Sequence, residues 1–268
     1  MGTDHAISAL ERNLWSLWQV FGRGDGGELV DTPEVLRFET PMRYIPYNSV
    51  MRFRVDGPDV DDRIDETLER YVGRGVPLMW VVHPTALPLD LDRRLEQRGL
   101  VEAEVAPGMV ADLADVPPPD APPDGIELAR FTEDEADDFI ELVAWRYSLP
   151  LDDTGYLRTV FAHHGFGRDD CPTKAWVARM DGRIVSKAIL HVDGDGVAGL
   201  YGVATRAEAR KLGLARILCS TVFDEARAIG CTTGVLHSTP MAYPLYESLG
   251  FRPVADFRLY STPNTLRL

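Results

Sequence analysis

The sequence predicts an α/β (α+β) protein built from two similar halves, and three observations support this. The order strand, helix, strand, short helix, then glycine with an apolar residue, occurs twice along the chain. The two copies end in the equivalent dipeptides Gly99-Leu100 and Gly250-Phe251. A proline-rich stretch at 117–124, PPPDAPPD, separates them. Such self-similarity is typical of a diverged duplication, and a stiff segment without core-forming residues indicates a domain boundary.

The length fits this organisation. A chain of 268 residues can form two domains that each bury a core of their own. We predict an N-terminal domain over 1–116, a proline-rich linker over 117–125 and a C-terminal domain over 126–268.

Composition restricts the possible partners. The formal net charge of −14 disfavours nucleic acid, because binding to a phosphate backbone requires clustered cations. No apolar run is long enough to span a bilayer, so we expect a cytoplasmic protein with no membrane partner. The chain is expected to be a monomer or a homodimer.

The cysteines and histidines do not indicate a metal site. Cys171, Cys219 and Cys231 are odd in number and lack the spacing of metal ligands, which favours packed thiols in a reducing compartment. His163-His164 could join Cys171, but no second pair with ligand spacing accompanies them. We therefore predict no metal.

In the N-terminal half, spacing of apolar residues predicts the elements. A helical stripe over 6–21 is followed by alternating residues over 28–39, which indicate one or two short strands. The repeated unit then has a strand at 49–55, a helix at 59–72, a strand at 77–82 and a short helix at 89–97.

In the C-terminal half, two helices come before the repeated unit. A strand at 126–129 leads to a helix at 132–147, with Thr132 as its N-cap, and to a helical stretch at 152–163. Asp181-Gly182 predicts a hairpin turn between strands at 174–180 and 183–191. The repeated unit follows, with elements at 197–204, 213–229, 232–237 and 241–249.

A basic turn between the strand Leu200–Ala204 and the next helix is the main candidate binding site. The turn reads RKLGLA from Arg210 to Ala215, and the helix after it presents Leu214, Ile217, Leu218, Val222 and Ala226 on one face. Unpaired N–H groups at a helix start, close to a glycine and two cations, suit a pyrophosphate.

The first half lacks this feature. At 56–62 it has the sequence DGPDVDD, which contains four carboxylates and a proline without an N–H group. This charge would repel a pyrophosphate. If only one half binds an anionic cofactor, we expect it to be the C-terminal half.

The stretches from Val203-Ala204-Thr205 through Arg216 and from Ala242 to Phe251, AYPLYESLGF, resemble the GNAT superfamily of N-acetyltransferases. The resemblance covers roughly 126–260, and the whole chain is similar to tandem members with a degenerate N-terminal copy. It implies that each half has a mixed, largely antiparallel central sheet flanked by helices. It also implies acetyl-CoA, or another acyl-CoA, as the co-substrate of an N-acetyltransferase acting on a small-molecule amine.

The resemblance assigns roles to residues. It implies that the main chain of Val203, Ala204 and Thr205 binds the pantetheine arm and that Tyr246 lies near the thioester sulfur, able to protonate the leaving thiolate. The residues implied to bind the pyrophosphate or its surroundings are Arg210, Lys211, Leu212, Gly213, Leu214, Ala215, Arg216 and, where many relatives have Asn, Thr239.

The base that would deprotonate the amine is less clear from the residues. Leu200–Ala204 contains no acid, so His191, at the end of the preceding strand, is the nearest candidate, with His237 as an alternative.

Two other functions stay open: a non-catalytic acyl-CoA-binding or partner-binding protein of the same fold, and aminoacyl transfer from charged tRNA, which the acidic composition disfavours. The identity of the acceptor does not follow from the sequence.

Overall fold

The computed structural model describes residues 2–263, which form helices around one large sheet. The α-helices are α1 (Thr3–Trp18), α2 (Val60–Arg74), α3 (Leu91–Gln97), α4 (Ala136–Tyr147), α5 (Gly155–His164), α6 (Leu214–Ala228) and α7 (Tyr243–Ser248). The strands are β1 (Glu28–Asp31), β2 (Val35–Glu39), β3 (Ser49–Phe53), β4 (Met79–Val82), β5 (Val101–Asp112), β6 (Ile126–Arg130), β7 (Thr173–Met180), β8 (Arg183–Val192), β9 (Ala198–Thr205), β10 (Thr233–His237) and β11 (Arg252–Ser261).

All eleven strands belong to a single sheet, in the order β1-β2-β3-β4-β11-β5-β10-β9-β8-β7-β6. Within the described residues, the neighbours are antiparallel except for β3 with β4 and β9 with β10. The two parallel pairs are the strands that flank α2 and α6, since a parallel pair needs a crossover connection. The predicted fold class, a mixed and largely antiparallel sheet with flanking helices, is confirmed.

The two halves exchange their last strands. β11 lies between β4 and β5, which both precede the linker, and β5 in turn pairs with β10. Each half therefore completes the sheet of the other, and the sheet is continuous across the molecule. The boundaries at 116 and 126 stay a prediction, and residues 117–125 between β5 and β6 form no helix or strand.

Helix α1 connects the halves on one face of this sheet. It contacts β3, β5 and β8 to β11. Asn13 donates to the Val197 carbonyl at 2.8 Å and accepts from the Tyr201 hydroxyl at 2.8 Å. On the opposite face of the C-terminal half, α6 packs against β7, β8 and β9, and the predicted apolar stripe of Leu214, Ile217, Leu218, Val222 and Ala226 is buried.

Most predicted helices and short strands occur with shifts of a few residues at their ends. Thr132 forms a capping box with Glu135, and a short 3-10 turn at Glu133–Glu135 precedes α4. Strands β5 and β11, the long strands that follow Gly99 and Gly250, were not predicted from the sequence. Their alternation is interrupted by bulges, as at Pro253/Ala255 and Leu259/Tyr260, and this obscures the two-residue period.

Candidate active site

Strands β9 and β10 separate in the middle of the C-terminal half. Their parallel ladder ends where Leu200 pairs with Leu236. Beyond this point β9 stays paired with β8 as far as Thr205, whereas the chain after β10 turns to β5, where the Ser238 N–H donates to the Pro107 carbonyl at 2.9 Å. From Tyr201 to Thr205, β9 therefore has no strand partner on its β10 side among residues 2–263.

A β-bulge lies in this open part of β9. Gly202 has a φ of +57°, a left-handed conformation that favours glycine, and the pairing with β8 shifts between Lys187 and Ile189. The Lys187 ammonium donates to the Gly202 carbonyl at 2.6 Å and lies 5.1 Å from the centre of the Phe139 ring. Burial lowers the pKa of Lys187 to about 7, and the charge of Arg146 contributes.

The basic turn leads directly from β9 into α6. Lys211 and Gly213 are both left-handed, with φ of +65° and +76°, and α6 begins at Leu214. Within the described residues, the main-chain N–H groups from Lys211 to Arg216 have no protein acceptor; the first amide to find one is that of Ile217, which donates to the Gly213 carbonyl at 3.1 Å. The turn therefore presents a series of free donors at a helix N-terminus, as a pyrophosphate site requires.

The positive charges of this turn are not neutralised by nearby carboxylates. Across residues 2–263, Arg210, Lys211 and Arg216 take part in no ion pair. The Arg216 guanidinium donates to the Ser248 hydroxyl at 2.7 Å, and the Arg210 guanidinium lies 6.0 Å from the Trp145 ring. In a chain with a net charge of −14, unpaired cations grouped at one helix start mark an anion site.

Tyr246, on α7, lines the same cavity as the open edge of β9 and the basic turn. Its side chain is buried, and its hydroxyl has no hydrogen-bond partner in the part of the chain that the structure describes. Burial raises the pKa of Tyr246 far above its usual range. The phenol therefore stays protonated and can act as a hydrogen-bond donor.

His191 lies outside this cavity. Its Nδ1 is 2.8 Å from the Thr173 hydroxyl and its Nε2 is 2.8 Å from the Ser16 hydroxyl, so both ring nitrogens have protein partners. Burial lowers its pKa to about 4. The structure does not bring His191 to Tyr246, and its contacts are those of a buried residue that ties α1 to β8.

The other two candidates lie at the end of β10, and both line the cavity. His237 packs its ring against Tyr201 and Phe257, with centroids 6.4 and 4.3 Å apart, and neither of its nitrogens has a partner within the described residues. Burial lowers its pKa to about 3, so it is neutral at physiological pH. Thr239 accepts a weak hydrogen bond of 3.4 Å from the Ala242 N–H.

The cavity itself has a volume of about 640 Å³ and is walled by both halves. Every residue predicted to bind the co-substrate lines it except Leu212, which is exposed on the turn. Its other wall is formed by Leu14, Trp18, Met51, Met79, Val81, Glu104, Ala106, Arg146, Tyr147, Phe257 and Leu259. No motif in the sequence marks the wall residues that precede the linker, because they reach the cavity only through the strand exchange and the docking of α1.

Two kinds of site find no support within residues 2–263. No group of three or more His, Cys, Asp or Glu side chains is arranged to hold a metal ion. No described helix combines the length and apolar character needed to cross a membrane.

Comparison with known proteins agrees with the geometry. Residues 131–251 match the model of the Acetyltransferase (GNAT) family. This range runs from the residue after β6 to the residue before β11. It therefore contains β9 and β10, the basic turn and Tyr246. The family match therefore covers the part of the site predicted to bind the co-substrate.

Solved structures extend the similarity of fold to nearly the whole chain. A GCN5-related N-acetyltransferase from Kribbella flavida is 19% identical, with 96% of each chain covered and a TM-score of 0.68. One from Sphaerobacter thermophilus is 17% identical over 87% of this chain and 82% of the other, with a TM-score of 0.60. A tandem GNAT protein from the clavulanic acid biosynthesis pathway is 12% identical over 98% and 96%, with a TM-score of 0.62. The resemblance seen in the sequence is confirmed, for the family over 131–251 and for the fold beyond it.

Proposed function

We propose that this chain, whose residues 131–251 match the GNAT family, transfers an acetyl or other acyl group from acyl-CoA directly to the amine of a small molecule. The observation that carries the proposal is the combination of three features in one cavity. These are the open edge of β9, the free N–H groups from Lys211 to Arg216, and the unpartnered hydroxyl of Tyr246.

The residues present fit an acyl-CoA. The amide groups of a pantetheine arm would pair with the main chain of Val203, Ala204 and Thr205 in the manner of an added strand. The pyrophosphate would accept hydrogen bonds from the free N–H groups of the basic turn, and Arg210, Lys211 and Arg216 would neutralise its charge. The co-substrate supplies a thioester, and this chain supplies the groups that position it.

Tyr246 would assist departure of the sulfur. A thiol with a pKa of about 8.5 leaves as a thiolate, and a donor fixed beside the developing charge lowers the barrier. Because burial keeps Tyr246 protonated, its contribution is a hydrogen bond to the thiolate, and full transfer of the phenolic proton is not required.

The acceptor must lose its ammonium proton before its nitrogen attacks the thioester. An alkylamine has a pKa of about 10.4, so only about one molecule in a thousand is neutral at pH 7. His191 is not available to take the proton, because both of its ring nitrogens are bonded elsewhere. The wall that the N-terminal half contributes to the cavity would be the surface that meets the amine.

Calorimetric titration with acetyl-CoA tests the donor site. Gly213 has open space around its Cα and a left-handed backbone, so Gly213→Glu places a carboxylate at the predicted pyrophosphate site and should weaken binding by about tenfold or more. Gly230→Glu is the matched control: it lies just beyond the other end of α6, with φ of +94° and equally open space. No binding by the wild type, or equal binding by both variants, contradicts the proposal.

A non-catalytic acyl-CoA-binding protein of the same fold is the second candidate, and it is favoured by the absence of an acid from Tyr201–Thr205. Release of free thiol from acetyl-CoA in the presence of a panel of amines distinguishes the two. Amine-dependent thiol release supports the transferase. Binding of acetyl-CoA with no thiol release for any amine supports the binding protein.

A further inference from the structure

Glu104 is a carboxylate on an otherwise apolar part of the sheet. In the exchanged strands, Glu104 of β5 pairs with Leu259 of β11, and Leu259 pairs with Val81 of β4. The next position on the same face pairs Ala106 with Phe257. All of these residues line the cavity, so a negative charge is held between apolar neighbours at its wall.

This carboxylate has no protein partner. Glu104 makes no hydrogen bond and no ion pair within the described residues, and it is the only acid among the side chains that line the cavity. Burial raises its pKa above the usual range. A half-buried charge without a partner is costly for the free protein, and a bound cation would relieve that cost.

The nearby positive charge does not satisfy it. The charge of Arg146, at the end of α4, lowers the pKa of Glu104, but the two side chains lie beyond ion-pair distance. The Arg146 guanidinium lies 5.3 Å from the centre of the Tyr147 ring. The remaining cations of the cavity, Arg210, Lys211 and Arg216, belong to the donor turn. The Glu104 carboxylate therefore remains available to bind a cationic ligand.

We propose that Glu104 binds the ammonium group of the acceptor, and that the acceptor is a primary amine carried on an apolar aliphatic or aromatic body. This inference rests on the proposed function. The body of the acceptor would lie against Met79, Val81 and Leu259, whose apolar side chains offer no partner to a hydroxyl or to a second charge. Glu104 thereby determines specificity for the acceptor.

The position of Glu104 gives the N-terminal half a role. Glu104 comes from β5 and Tyr246 from α7, yet both line one cavity because β5 is paired with β10 and β11. The donor would enter from the C-terminal half and the acceptor from the exchanged strands. An isolated C-terminal half would lack the carboxylate and most of the apolar wall.

Equilibrium binding tests the inference without turnover. In calorimetric titrations of the full chain saturated with CoA, 2-phenylethylamine should bind the wild type, and Glu104→Gln should weaken it by about tenfold or more, the range of a hydrogen bond to a charged group. The neutral analogue 2-phenylethanol should bind both proteins equally. Glu247→Gln is the control, because Glu247 is an exposed carboxylate on α7 beside Tyr246.

Four results distinguish the outcomes. Loss of amine affinity in Glu104→Gln, with unchanged affinity for 2-phenylethanol and for CoA, supports the inference. Equal amine affinity in Glu104→Gln and wild type overturns it, and so does tighter binding of spermidine than of 2-phenylethylamine. Failure of acetyl-CoA to bind, with amine binding still dependent on Glu104, would refute the donor site and leave this amine site standing.

Discussion

The indole Nε1 of Trp15 donates a hydrogen bond of 2.9 Å to the carbonyl oxygen of Met51. The pairing of β3 with β4 ends at Val50 and Trp80, and Met51 is the next residue of β3. In the other half, the corresponding position of β9 is the one at which its pairing with β10 has ended. A little further along, the Leu87 N–H donates to the Phe53 carbonyl at 3.1 Å. The strand edge that is free in the C-terminal copy is therefore occupied in the N-terminal copy.

We therefore predict that one acyl-CoA binds per chain. The calorimetric stoichiometry should be one, because α1 fills the equivalent edge and the turn at 56–62 is acidic. A stoichiometry of two would contradict this assignment.

The same hydrogen bond should contribute to stability. Trp15→Phe keeps a ring in place but leaves the Met51 carbonyl without its donor, and should lower the free energy of unfolding by about 1–3 kcal/mol. Urea denaturation measures this change. Trp145→Phe, at a 38% exposed residue, provides the control, and an equal loss in both variants would mean that the hydrogen bond adds nothing.

Tyr246→Phe should lower turnover by about a hundredfold to a thousandfold, as expected for loss of one donor beside a developing charge, while the affinity for CoA stays nearly constant. Steady-state thiol release and calorimetry measure the two quantities. Tyr243→Phe, on the same helix but outside the cavity, is the control.

Because burial raises the pKa of Tyr246, no decline in rate from phenolate formation is expected between about pH 8 and 10. Undiminished turnover would remove Tyr246 from the mechanism.

Lys187 should make stability increase with pH. Its pKa is lowered to about 7 in the folded chain, so above pH 7 the unfolded chain binds more protons at this site than the folded chain does. The free energy of unfolding should then rise by up to about 1.4 kcal/mol per pH unit relative to Lys187→Met.

Denaturation curves between pH 7 and 9 measure this difference. Lys174→Met, which removes an ammonium 3.7 Å from a Glu225 carboxylate oxygen, is the control for loss of a positive charge. Parallel pH dependence of the wild type and Lys187→Met would show that Lys187 retains its proton in the folded chain.

His191 should contribute to stability and not to turnover. His191→Asn removes the partners of the Thr173 and Ser16 hydroxyls and should lower the free energy of unfolding by about 1–3 kcal/mol. Its pKa is lowered to about 4, so the unfolded chain binds more protons below pH 6.5 and the wild type should lose stability towards pH 4 more steeply than His191→Asn.

Turnover of the folded variant tests the other role. His191→Asn should keep the kcat of the wild type when both are assayed well below their Tm. His163→Asn is the control, because His163 is half-exposed and contacts the Thr159 carbonyl and the Asp25 carboxylate. A large fall in kcat with intact folding would restore His191 as a base.

The sequence by itself determined the helices, the short strands and the donor turn. The helical spacing of apolar residues predicts α6. The turn before α6 is recognised from Arg210, Lys211 and Gly213, because free amides at a helix start depend on a few consecutive residues. These features are fixed by neighbours along the chain, so they can be inferred from residue order alone. The role of Tyr246 was inferred from the resemblance of residues 242–251 to the GNAT superfamily.

Only the tertiary structure decided how the two copies combine. The bulged strands β5 and β11 exchange places in the sheet, and this exchange puts Glu104 in the same cavity as Tyr246, although one precedes the linker and the other follows it. The docking of α1 supplies partners for His191 and Met51. Contacts between residues far apart in sequence leave no periodic signal, because they depend on which strand edges pair after the chain has folded.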